Sequence, residues 1–166
     1  MRIRLACLSA AVALGMTALA AGSATAAPPL SGTKIRSWQS GHVLAVTDTV
    51  GGSQVQYQTD TDALSQKWAV EPVSSSTFLL RNLSSDMCVT AIGGGDTEAL
   101  QQRPCDPRWD EQLFSLEASG KPSRYLLKNQ GHNKCLQQYN STAPTYARLY
   151  ACSPASTWQI HSFDVR

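Results

Sequence analysis

The residues able to do chemistry are few. Outside the first 26 positions the chain carries four cysteines, three histidines and a few close acidic pairs, Asp60 and Asp62 among them. Cys88 and Cys105 stand 17 residues apart, and so do Cys135 and Cys152. Four thiols permit three pairings. Two equal intervals predict one local bridge each, Cys88–Cys105 and Cys135–Cys152, in a chain exported to where disulfides persist. Each closed loop would constrain the unfolded chain by about 3 kcal/mol on the loop-entropy account. A metal centre would want tightly spaced pairs such as C-x-x-C with histidine nearby, and that spacing is absent. His42, His132 and His161 are isolated, the first two in turn sequences where solvation is expected. Asp60-Thr61-Asp62 reads as a surface turn in preference to a cation loop. There is no G-x-S-x-G, catalytic cysteine or glycine-rich phosphate loop. The expectation is a protein that is not an enzyme, with no catalytic residue, no metal and no cofactor.

The elements that would position any binding residues begin after a leader. Arg2 and Arg4 precede an uncharged run, "LACLSAAVALGMTALA", and Ala24-Thr25-Ala26 offers a small-x-small cleavage site. Residues 1–26 are therefore expected to be a secretory signal peptide, with no membrane anchor and a secreted, extracellular product. The remainder, 27–166, is expected to be one domain. The leader takes two of the 14 basic residues, leaving 12 against 12 acidic ones. A neutral chain without like-charge runs argues against nucleic acid or anionic membrane as partner.

That domain is written three times. "LLRNLSSDMC" (79–88) recurs as "LLKNQGHNKC" (126–135), and "IRSWQSGHV" (35–43) follows the same template with Val43 in the cysteine position. Asp60 then stands opposite Cys105 and Cys152, so the first copy keeps the interval without the bridge. Short alternating runs ("HVLAV", "QVQYQ", "KWAVEPV", "TFLLRN", "QLFSLEA", "RYLLKN") are separated by turn-rich stretches, which predicts about four strands per copy. Each copy ends on a large aromatic, Trp68, Phe114 and Trp158, expected to be shared core. Repeats about 33–73, 77–119 and 124–166 cannot bury their apolar faces singly and must close around one core.

With this alignment the chain resembles the ricin-type β-trefoil family, whose repeats end in Gln-x-Trp. That ending reads Gln66-Lys67-Trp68, Gln112-Leu113-Phe114 and, half lost, Ser156-Thr157-Trp158. The resemblance covers residues 33–166. It implies an all-β β-trefoil of three pseudo-equivalent four-stranded repeats with two disulfides inside repeats. It also implies a sugar pocket built from an Asp two residues after the first cysteine, a supporting Gln, an aromatic platform and an Asn before Gln-x-Trp. At the Asp position stand Ala45, Thr90 and Gln137. The Gln position holds Gln56, Gln101 and Arg148, the platform position Gln58, Arg103 and Tyr150, and the Asn position Ser65, Glu111 and Ala155.

A sugar offers hydroxyls on its edge and C–H groups on its face, so it needs polar acceptors opposite an aromatic ring. The third repeat comes nearest to that set. Gln137 would accept and donate, Tyr150 would stack, and Tyr139, Asn140, Tyr146 and Arg148 lie close by in sequence. The expected function is a non-catalytic, lectin-like module for extracellular glycans with its best site there. The alternative is a protein-binding trefoil, an adaptor in a secreted complex or a protease inhibitor, bound to a co-secreted partner. Trp109, in the charged loop "CDPRWDEQ", is the expected protein contact.

Overall fold

The computed structural model describes residues 30–95 and 97–165; the expected signal peptide lies outside them. Twelve strands follow in order: β1 (Leu30–Ser37), β2 (Val43–Val46), β3 (Val55–Gln58), β4 (Trp68–Pro72), β5 (Phe78–Asn82), β6 (Cys88–Thr90), β7 (Gln101–Arg103), β8 (Phe114–Ala118), β9 (Tyr125–Asn129), β10 (Lys134–Gln138), β11 (Thr145–Tyr150) and β12 (His161–Asp164). The only helical pieces among the described residues are three 3-10 turns, Leu64–Gln66, Asp110–Gln112 and Thr157–Gln159. Each precedes the last strand of a repeat.

Six strands close a barrel through the antiparallel pairs β1–β4, β4–β5, β5–β8, β8–β9, β9–β12 and β12–β1. Closure leaves no barrel edge open to pair with other chains. The hairpins β2–β3, β6–β7 and β10–β11 sit at one end of it. They touch each other cyclically, Tyr146 opposite Gln56, Gln54 opposite Gln101, and Ala99 opposite Arg148. One repeat thus supports the next, and the threefold pattern of the sequence is realised as a β-trefoil.

Alternation along the strands fills the centre. Ile35, Leu80 and Leu127 come from equivalent positions in β1, β5 and β9, and Leu44, Val89 and Leu136 from the hairpins. Burying each such side chain contributes roughly 1.5–3 kcal/mol. Trp68 and Phe114 complete the core as expected, with the Trp68 indole donating to the Leu44 carbonyl at 2.9 Å.

Trp158 is a correction: it is half-buried at the surface, outside the core. The third 3-10 turn ends at Gln159, so the residue entering the barrel two places later is His161. The hydrogen bonds establish this register. Gln66, Gln112 and Gln159 donate from Nε2 to the carbonyls of Thr59, Pro104 and Ala151, and accept at Oε1 from the amides of Thr61, Asp106 and Ser153. The third repeat therefore ends in Gln159-Ile160-His161, and its Asn-equivalent position is Trp158 and not Ala155.

His161 is completely buried, and its Nε2 meets the Tyr57 hydroxyl at 2.5 Å. Burial lowers its pKa to about 3, while the Gln159 backbone, without a well-aligned bond to Nδ1, raises it less. The expectation of solvated turn histidines is also corrected. His42 and His132 are half-buried; Nδ1 of His42 faces the Gln138 amide at 3.2 Å, and Nε2 of His132 faces the Ala91 carbonyl at 3.3 Å.

Both expected bridges are present, Cys88–Cys105 and Cys135–Cys152. In the first repeat ion pairs stand in the bridge's place. Asp60 accepts from Lys34 at 2.7 Å and from Arg36 at 2.6 Å, and Arg36 also reaches Asp164 at 2.7 Å. Lys34 is only 1% exposed and takes Asp62 as a second partner at 2.8 Å. Those donors hold Asp60 well below the usual carboxylate range, Lys34 first and Arg36 second. Asp60 and Asp62 are thereby consumed in neutralising a buried ammonium.

Candidate functional site

Strand pairing fixes which side chains share a face. In β10 and β11 the partners are Cys135–Tyr150, Gln137–Arg148 and Gln138–Ala147. Side chains alternate across a strand: Leu136, Gln138, Ala147 and Leu149 turn inward and are buried. Gln137, Tyr139, Tyr146, Arg148 and Tyr150 consequently share the outer face of this hairpin. The structure brings these expected site residues together. Tyr139 and Tyr146 are 50% and 38% exposed, whereas Gln137, Arg148 and Tyr150 are half-buried.

Their hydrogen bonds divide the labour. Gln137 Oε1 accepts from Gln159 Nε2 at 3.1 Å, which orients the amide and leaves its own N–H pair facing out. Arg148 lies over the rings of Tyr139 and Tyr146, 4.5 and 5.5 Å from their centroids, and donates to the Thr97 carbonyl. It braces the two rings against the neighbouring repeat. Asn140 is spent on the hairpin tip, where its Oδ1 accepts from the Thr142 amide and its carbonyl from Gln138 Nε2. Sequence reasoning put Trp158 in the core; the structure gives this half-buried ring to the turn packed on β10. Both bridged copies place their buried glutamine seven residues after the second cysteine, and that interval was the signal for it.

The second repeat is shaped differently. A depression of about 400 Å³ is lined by Thr90, Ala91, Ile92, Arg103, Trp109 and Glu111. Thr90 and Arg103 occupy the Asp and platform positions, and Glu111 the Asn position. Trp109 was expected as a contact residue without a pocket; here its indole, 47% exposed, forms part of the wall. Thr90 is already engaged, donating to the Cys88 carbonyl and accepting from Gln112 Nε2. In the first repeat the corresponding hollow, about 440 Å³, is lined by Gln56, Gln58, three threonines, Ala143 and Pro144, without a ring. Among the described residues, no group of three or more metal-ligating side chains is assembled, and no helix is long and apolar enough to cross a membrane.

The family profile described as ricin-type β-trefoil lectin domain-like matches residues 25–99 and 65–151. These matches span most of the chain, and the chain belongs to that family. The sequence has no match among curated proteins. Among solved structures, the designed threefold-symmetric protein ThreeFoil superposes with a TM-score of 0.73 at 18% identity, over 81% of this chain and 97% of that one. An exo-β-1,3-galactanase from Clostridium thermocellum gives 0.76 at 18% identity, over 82% of this chain but 30% of the enzyme. The hemolytic lectin CEL-III gives 0.64 at 18% identity, over 81% of this chain and 30% of the lectin. At these identities the likeness shows the fold alone.

Proposed function

We propose that the protein is a secreted, non-catalytic carbohydrate-binding module that engages extracellular glycans through the outer face of the β10–β11 hairpin. The observation that carries this reading is the Gln137 amide, oriented by Gln159 and set beside three tyrosines on one surface. A saccharide hydroxyl would accept from the Gln137 N–H, and a neighbouring hydroxyl would donate to Oε1, which has a second lone pair beside the one that Gln159 uses. Tyr150, held opposite Cys135, offers its ring to the C–H face of the sugar. Membership of a lectin-like family supports the class of ligand. Loss of the amide should cost a few kcal/mol, which at a shallow surface site is most of the binding free energy.

The test is retention on immobilised polysaccharides and on a glycan array. The wild type should be retained, and Gln137→Ala and Tyr150→Ala should each lose retention with unchanged thermal unfolding. Failure of the wild type to bind any neutral or charged glycan would remove the reading. Recovery of a stoichiometric co-secreted protein through Trp109, lost in Trp109→Ala, would favour the adaptor or inhibitor role instead.

A further inference from the structure

We propose that the second repeat holds a separate site, for a sugar bearing a carboxylate, with Arg103 as its anion receptor and Trp109 as its platform. The inference rests on the reading of the chain as a sugar binder and extends it to a different ligand class at a different repeat.

Arg103 is unlike the other arginines among the described residues. Arg36, Arg81 and Arg108 are paired with carboxylates within 4 Å, and Arg124 and Arg148 lie over the rings of Trp38 and Tyr139. Arg103 has neither kind of partner. One of its terminal nitrogens donates to Gln101 Oε1 at 3.3 Å, and its Nε, like those of Arg124 and Arg148, is buried without an acceptor. A half-buried guanidinium left in that state is poorly solvated, and its planar fork fits a carboxylate through two parallel hydrogen bonds. The donor therefore sits ready in the wall of a hollow where no protein carboxylate pairs with it.

The rest of the wall suits a pyranose ring. Trp109 enters from the loop before the second 3-10 turn, away from the strand position where the family resemblance puts the platform, which Arg103 has taken. Its exposed face would cover the sugar's C–H surface, with Ile92 extending the apolar side. Thr90 has already spent its one donor on the Cys88 carbonyl and accepts from Gln112 Nε2, and its side chain is buried. The charged groups offered to a ligand are Arg103 and Glu111. These two line the same depression without forming an ion pair. Arg103 would take the carboxylate, and Glu111 would accept from hydroxyls on the far side of the ring. Each bound sugar unit presents one acid group, to Arg103; the same group turned towards Glu111 would be repelled, which fixes the orientation of the ring.

The experiment is isothermal titration calorimetry of the purified protein with trigalacturonate and with neutral galactotriose as probes. Trigalacturonate should bind at least tenfold more tightly, and Arg103→Gln should remove that preference. Trp109→Ala should abolish trigalacturonate binding, and raising salt from 50 to 500 mM should weaken it severalfold. Arg103→Gln and Trp109→Ala should retain the wild-type thermal midpoint and circular dichroism, which excludes misfolding as the cause. Gln137→Ala should leave trigalacturonate binding intact. Equal affinity for the two probes, no heat from trigalacturonate, or an unaffected Arg103→Gln variant would overturn the inference. Galactotriose binding that survives Arg103→Gln and is lost in Gln137→Ala reports on the third repeat separately.

Discussion

Acid should weaken this fold well above the pH at which carboxylates titrate, because His161 occupies a core position that the other repeats give to Trp68 and Phe114. Its ring is wholly buried between Tyr57 on β3 and the barrel wall, with Ser37 of β1 and Tyr125 of β9 as its register partners. Buried in this way it stays neutral down to a pKa of about 3, whereas in the unfolded chain it titrates near 6.5. Below pH 6.5 the unfolded state therefore binds a proton that the native state refuses, and stability falls by about 1.4 kcal/mol per pH unit until the native pKa is approached. From pH 6.5 to 4.5 this single group should remove about 2 kcal/mol, a large fraction of a marginal total. Asp60 adds little within that window, since its contribution is lost mainly as pH falls from the ordinary carboxylate pKa downward.

The assay is urea unfolding followed by tryptophan fluorescence at half-unit pH steps, comparing wild type with a Tyr57→Phe/His161→Phe double variant. The double change is needed because Phe at 161 alone would leave the Tyr57 hydroxyl buried and unpaired, at about 1–3 kcal/mol. The double variant should gain on the wild type steadily as pH falls from 6.5 to 4.5. Curves that stay parallel across that window would refute the placement of His161 as a buried neutral core residue.

Other expectations follow from the three-copy comparison. Asn82 and Asn129 each donate to the two carbonyls flanking the buried glutamine of the preceding 3-10 turn, whereas Ser37, at the equivalent position, has its hydroxyl buried without a partner. Ser37→Asn should therefore stabilise the protein by about 1 kcal/mol, read as a higher urea midpoint; a lower one would contradict the alignment of the third repeat's closing turn. Asp60→Asn should cost about 2 kcal/mol at pH 7, less than loss of the sole partner of a buried charge because Asp62 still faces Lys34. That deficit should shrink as pH drops through the ordinary carboxylate range and below, where wild-type Asp60 loses its own advantage. Replacing Cys88 and Cys105 together by Ala should cost about 3 kcal/mol, and in the same assay a neutral result would show that the bridge adds little to the packing around it.

The fold was legible because three independent signals shared one period. The Leu-Leu-cation-Asn stretches became β5 and β9, the 17-residue intervals became bridges, and Val43 with Asp60 marked a copy whose bridge had been replaced by charge. Less was legible where copies had drifted in length. The first repeat is one residue shorter between its second bridge position and its closing glutamine. Matching endings by the aromatic residue alone drew Trp158 into a place that belongs to His161. A side-chain hydrogen bond, Gln159 Nε2 to the Ala151 carbonyl, decides that register, and hydrophobicity patterns carry no trace of it. The candidate face was half legible. Strand parity puts Gln137, Tyr139, Tyr146, Arg148 and Tyr150 together once the hairpin is known. That Arg148 braces the two rings, and that Trp109 and Arg103 face one hollow, depends on loop paths and packing between repeats, which local sequence does not encode.

The most direct check on the account is a nitrogen-15 NMR titration of the protein with a neutral galacto-oligosaccharide to which the glycan array has shown binding. The account predicts saturable shifts at the side-chain amides of Gln137 and Gln159 and at the backbone of Tyr139, Arg148 and Tyr150. Shifts confined to the barrel's opposite end, or a spectrum that does not change while the protein remains bound to the matrix carrying that sugar, would contradict it.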